Sequence, residues 1–158
     1  MEIARFYNHD PNAPKPTQPT HLGVNVFIEY DGKLLLEKRR DCNTWGLVGG
    51  GVKKREEERK AISREVWEET GLYIHPSRFQ KVKVYGNPDR SAAYRDGSIC
   101  RMVIIQYKVV LEEEPKLRVS AESKDLRWFT RDELRDTHII VTHRDIVEDF
   151  YGPTKAEP

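Results

Sequence analysis

Residues 50–72 read GGVKKREEERKAISREVWEETGL, and the fold turns on this stretch. Residues 55–70 are predicted to form a helix: Glu56, Glu57 and Glu58 make an acidic first turn that suits the positive end of the helix dipole, and Gly71 can take the left-handed conformation that ends a helix. On that helix Glu65, Glu68 and Glu69 recur at i, i+3 and i+4, so their carboxylates share one face. Like charges at this spacing destabilise an isolated helix by roughly 0.2–0.5 kcal/mol per pair. A Lys- and Glu-rich helix is ordinarily a solvated face of mixed sign. Three carboxylates set together call for another reason.

Ahead of the helix, Gly49–Gly51 reads as a glycine-rich turn leading into it. Upstream, residues 22–30 (LGVNVFIEY) alternate Leu22, Val24, Val26 and Ile28 against the other face, and Asp31-Gly32 makes a two-residue turn into KLLLEKR, which is the pattern of a β-hairpin. Downstream, residues 79–86, 100–111 and 125–129 are rich in β-branched and aromatic residues and are predicted strands. Thr130 and Glu133 carry the capping-box pattern of a short helix, and residues 143–151 form a closing one. Strands, a long helix, more strands and terminal helices predict an α/β fold, a mixed sheet with helices on both sides. Three prolines in NAPKPTQPT make residues 1–20 an extended arm, residues 21–151 the ordered domain, and residues 152–158 a flexible tail.

The chain has 158 residues, enough for one domain with a proper core. Its 27 Lys and Arg against 26 Asp and Glu leave a net charge of +1, so no bulk field points to nucleic acid or to an acidic membrane. No apolar run approaches the ~18 residues of a membrane span, and MEIARFYNHD does not resemble a signal peptide, so a cytoplasmic protein is expected. Cys42 and Cys100 stand far apart without metal-ligand spacing and are expected to be buried free thiols.

Three carboxylates on one face suit a hard divalent cation held by oxygen ligands, Mg²⁺ above all, which keeps waters and is completed by substrate phosphates. The spacing then matches a family. Gly50, five residues, Glu56, seven residues, Arg64-Glu65-Val66, one residue, Glu68-Glu69, one residue and Gly71-Leu72 reproduce every fixed position of the Nudix box, and the chain from 22 to 150 resembles the Nudix hydrolase family. Val48 and Lys53 stand where many members carry Pro and Glu.

The resemblance implies a Nudix-like α/β/α sandwich with the catalytic loop–helix–loop on one side, and Mg²⁺-dependent hydrolysis of a nucleoside diphosphate linked to another moiety, Mn²⁺ being a substitute. ADP-ribose or a nucleotide sugar is the favoured substrate type. Glu65, Glu68 and Glu69 are the implied ligands, joined by the main-chain carbonyl of Gly50. Arg64 and Glu56 are read as an ion pair that orients the face. Glu122, before the strand at 125–129, is the candidate further carboxylate that binds metal or accepts a proton. Arg39 and Arg40, at a strand end, are candidates for a substrate phosphate. The segment YGNPDRSAAYRDGSICR (85–101) reads as a loop in which Tyr94, Arg90 and Arg95 stack on a base or grip a phosphate. A nucleoside triphosphate pyrophosphohydrolase and a non-catalytic nucleotide sensor remain alternatives, and a homodimer stays open.

Overall fold

The computed structural model describes residues 3–156, so Met1, Glu2, Glu157 and Pro158, the outermost residues of the expected arm and tail, lie outside the described part. The elements in order are β1 (Ile3–Tyr7), β2 (His21–Tyr30), β3 (Lys33–Arg39), β4 (Trp45–Gly46), β5 (Val48–Gly51), α1 (Glu58–Thr70), a 3₁₀ turn (Pro76–Arg78), β6 (Gln80–Tyr85), β7 (Ser91–Tyr94), β8 (Ile99–Leu111), β9 (Ser123–Phe129), α2 (Arg131–Arg135) and α3 (Val141–Tyr151). The β2–β3 hairpin turns at Asp31 (φ 51°) and Gly32 (φ 71°), both in the left-handed region that a two-residue turn of this kind demands.

β2 runs parallel to β8 along its whole length and antiparallel to β3 and β5; β9 lines up on β3, and β6 and β7 on β8. The sheet is therefore mixed. Its two faces bury two apolar clusters. Val24, Val26, Ile28, Leu35, Ile105 and Tyr107 pack under Ala61, Ile62 and Val66 of α1. Phe27, Leu34, Leu36 and Ile104 pack under Leu134, Ile146, Val147 and Tyr151 of α2 and α3. Helices cover both faces, as alternation along the strands requires.

Several features differ from the expectation. α1 starts at Glu58 rather than residue 55, because Arg55 is held at φ 66° and cannot continue a helix; Glu56 and Glu57 thus precede the first turn. Gly49–Gly51 is not a turn but strand, registered against Gly23, Val24 and Asn25. None of the three has positive φ, so they are glycines for room and not for conformation: a Cβ on Gly49 would fall 2.1 Å from the Val24 carbonyl oxygen. Ahead of His21, the expected arm contributes β1, which adds to the edge of β7 with Tyr7 opposite Ser91. At the other end, residues expected to fray are anchored: Thr154 donates its N–H and hydroxyl to Glu148, and Lys155 bridges to His138. Cys42 and Cys100 are free thiols, half-buried rather than buried. No helix of the described residues is long and apolar enough to cross a membrane.

Candidate active site

α1 lies across β5 and holds its acidic face there because Gly49 and Gly50 have no side chains. A Cβ on Gly50 would fall 2.4 Å from Cδ of Glu65, so the Glu65 carboxylate rests directly on that backbone. One turn on, the buried Glu69 accepts the Gly49 N–H at Oε2 (3.2 Å). Glu68, at the outer edge of the face, is exposed.

Arg64 organises the whole face. Its five N–H donors all find acceptors: Nε and Nη2 bind Glu56 (2.8 and 2.9 Å), Nη2 also the Gly51 carbonyl (3.0 Å), and Nη1 Glu65 (2.8 Å) and Glu68 (3.3 Å). The Arg64–Glu56 pair predicted from the spacing is present, reached from the loop before the helix; Glu56 also accepts the Lys53 N–H (3.0 Å). Arg64 beside it, with that amide, holds the Glu56 carboxyl down to about 2.

The box carboxylates have a partner the sequence reading missed. Glu37, near the end of β3, is 5% exposed, lies close enough to Glu69 for its charge to act there, and accepts from Ser123 Oγ (3.0 Å). Burial raises the pKa of Glu37. Burial and then the charge of Glu37 push Glu69 well above the ordinary carboxylate range, and burial raises Glu65 against the pull of Arg64. Glu122 is exposed, its carbonyl accepts the Arg40 N–H (3.0 Å), and its charge is felt at Glu37, which puts it at the rim of the cluster. Within KLLLEKR, Glu37 is the one acid in a strand whose neighbours Leu34, Leu35 and Leu36 are fully buried; an acid inside so apolar a run was the available signal.

The donor set is all oxygen, crowded and short of positive charge on its buried side, which fits a hard divalent cation. Among the described residues no three such side chains already close around one point. The reason is visible: Arg64 serves as the counter-cation of Glu65 and Glu68, while Glu69 turns to Gly49 and Glu37.

The other candidates separate. Arg39 ends β3 in a bidentate pair with Asp41 (3.0 and 2.6 Å), and its charge reaches Glu37 and Tyr94. Arg40 is exposed. Residues 91–94 are strand and not loop; Tyr94 is half-buried in β7, and Arg95 lines a cavity beside β1. Arg90 corrects the reading: it is fully buried, paired through two nitrogens with Asp145, and donates to the Thr142 carbonyl, so it holds α3 to the sheet and cannot meet a substrate.

A family model, the NUDIX domain, matches residues 19–150. This chain belongs to the NUDIX domain family. This Nudix chain is 32% identical over 113 residues to a MutT-like protein of Streptomyces ambofaciens, covering 72% of this chain and 65% of that one, just under two thirds of its length. It is 30% identical over 132 residues to an ADP-ribose pyrophosphatase of Methanocaldococcus jannaschii, covering 82% of this chain and 72% of the relative. Its Nudix fold resembles that of a MutT NUDIX hydrolase from Burkholderia pseudomallei, at TM-score 0.67 and 28% identity over 84% of this chain and 98% of the other.

Proposed function

We propose that this Nudix domain hydrolyses the pyrophosphate bond of a nucleoside diphosphate linked to a second moiety, of the ADP-ribose or nucleotide-sugar type, with Mg²⁺ as its cation and Mn²⁺ as a substitute. The observation that carries the reading is the gathering of Glu65, Glu69 and Glu37, all raised in pKa, against the side-chain-free backbone of Gly49 and Gly50. The 30% identity to an ADP-ribose pyrophosphatase supports the substrate type.

Glu65, Glu68 and Glu69, with the Gly50 carbonyl, would hold the cation. When bound, it acts as a Lewis acid on the phosphoryl oxygens and neutralises charge on the departing phosphate. The chain's own residues do the rest. Arg64, fixed by Glu56, keeps Glu65 and Glu68 aimed outward from α1. In the reaction the water oxygen bonds to one phosphorus, the bridging P–O bond breaks with its electrons on the other phosphate, and the water's proton passes to Glu122, the exposed carboxylate at the rim. Arg39 faces the phosphates as a positive neighbour.

The test is product analysis over ADP-ribose, nucleotide sugars, dinucleoside polyphosphates and oxidised nucleoside triphosphates, each with Mg²⁺ or Mn²⁺. ADP-ribose-type substrates are expected to be cleaved best, to two phosphomonoesters. Preference for triphosphates would move the assignment to a triphosphate pyrophosphohydrolase, and tight binding without cleavage to a sensing module.

A further inference from the structure

β1 lies ahead of the span matched by the family model, yet it walls a cavity of about 610 Å³, within the ~300–1,000 Å³ of small-molecule sites. Across the space stand the loop after β3, at Asp41 and Cys42, and the start of α3, at Ile140 and Val141. The wall is tied down. Asn8, immediately after β1, is buried, donates to the Val141 carbonyl (3.4 Å) and accepts from Asn87 (2.8 Å).

We propose that β1 builds the nucleoside end of the substrate site, the base and ribose lying in this cavity and the phosphates extending toward the carboxylates of α1. The inference rests on the function proposed above and adds where its nucleoside is read. The lining has the chemistry for it. Phe6 offers an aromatic face, Arg5 and Arg95 offer guanidinium planes that stack or bind phosphate, and Asp10 and Asp41 accept from ribose hydroxyls and base amino groups. A purely apolar ligand does not suit a lining that carries Arg5, Asp10, Asp41 and Arg95, and a bare phosphate would have no use for Phe6.

The cavity also joins the carboxylates through one residue. The Arg39 guanidinium stands 5.8 Å from the Phe6 ring centroid and pairs with Asp41 on the cavity wall. On its other side Arg39 stands opposite Ser123 in the β3–β9 register, and the Ser123 hydroxyl donates to Glu37 (3.0 Å), the acid whose charge acts on Glu69. A nucleoside diphosphate laid from Phe6 past Arg39 therefore puts its phosphates next to the acidic face.

Cys42, in the cavity lining, gives a readout that needs no turnover, and Cys100 in β8, which is not part of that lining, is the internal reference. In the intact wild-type protein, saturating AMP is expected to slow alkylation of Cys42 at least tenfold relative to Cys100, and ribose 5-phosphate to protect far less. Phe6→Ala is expected to raise both the AMP concentration for half-protection and KM by roughly 5–150-fold with kcat little changed, the size of one base–aromatic stack. Phe6→Tyr should restore both. Equal Cys42 alkylation with and without AMP in an enzyme that does turn over would overturn this inference and leave the proposed function standing. So would an unchanged KM in Phe6→Ala. Should Phe6→Ala fail to fold, the wild-type comparison of AMP with ribose 5-phosphate still decides. A wild-type protein that neither binds AMP nor cleaves any member of the substrate panel overturns both.

Discussion

Arg90 and Glu69 are both ionisable side chains taken out of water, and their surroundings follow opposite plans. Arg90 is surrounded by acceptors: both oxygens of Asp145, the Thr142 carbonyl and Asn87 Oδ1 answer its guanidinium. Glu69 is set beside two further acids, Glu37 and Glu65, with one backbone N–H to offset them. The first arrangement is complete in itself. The second is unfavourable unless something positive arrives, and a fold retains such a conflict where function uses it. Burial alone therefore does not separate a structural charge from a functional one; the sign and completeness of its partners do.

The satisfied pair should be the costlier one to disrupt. Asp145→Ala leaves a fully buried guanidinium without its counter-ion and is expected to cost about 3–5 kcal/mol of stability, seen as a lower denaturation midpoint in urea, while turnover per folded molecule changes little. Replacing both partners by apolar residues, Arg90→Met with Asp145→Leu, should recover most of that loss.

The mirror-image experiment is Glu69→Gln. Turnover should fall at least ~10²-fold, or about 2.7 kcal/mol of transition-state stabilisation, because an anionic oxygen of the proposed cation site is lost. The melting temperature should hold or rise, because the like charge that faced Glu37 is gone. A Glu69→Gln protein that is fully active but less stable would make this carboxylate structural, and the contrast with Arg90 would collapse.

The same contrast separates what is local in the sequence from what only the fold brings together. The Asp31-Gly32 turn, the Gly71 stop (φ 74°) and the Thr130–Glu133 capping box are local devices whose residues act on their own neighbours, and all three are present as expected. The box glutamates were legible because one helix face orders them in sequence. Glu37 was not, because it meets Glu69 only after β3 and α1 are packed on the same side of the sheet. Arg90 in a Pro- and Gly-punctuated segment looked like a loop residue, since nothing local announces an acid 55 positions later on α3. Gly49–Gly51 misled for a related reason: a glycine needed for close approach is spelled like a glycine needed for a turn.

The two regions also respond to pH in opposite senses. His143, buried on α3 with Nδ1 accepting the Leu47 N–H (3.1 Å), is lowered to about 3 by burial and by the charges of Arg39 and Arg90, against a smaller pull from Asp145. Above its ordinary pKa of ~6.5 it is neutral folded and unfolded and adds no slope. Below that, down to about 3, the unfolded chain takes a proton the native state refuses, so this histidine removes about 1.4 kcal/mol of stability per pH unit. Glu37 and Glu69, raised when folded, do the reverse: the native state takes protons first as pH falls, so their repulsion weakens on acidification. Urea titrations between pH 7 and 5 should therefore show a shallower acid loss in His143→Gln than in wild type. Parallel curves would mean that His143 is not held neutral by its site.

Ser123 Oγ donates to Glu37 Oε2 (3.0 Å), so the conflicted side has a single neutral hydroxyl where Arg90 has a full set of acceptors. If that hydroxyl helps keep the Glu37–Glu69 pair partly ionised, Ser123→Ala should raise the pKa of the pair further. The stability cost should be roughly 0.5–1.5 kcal/mol, the net worth of one hydrogen bond. Activity should then lose more on the acid side of its pH profile than on the alkaline side, because the pair takes its proton more readily without the serine. The control is the same change in a Glu37→Gln background, where no charge remains at that end for the hydroxyl to favour. There Ser123→Ala should leave the pH profile unmoved, and a profile that shifts equally in both backgrounds would place the serine's effect in packing against β3, not in the charge balance of the site.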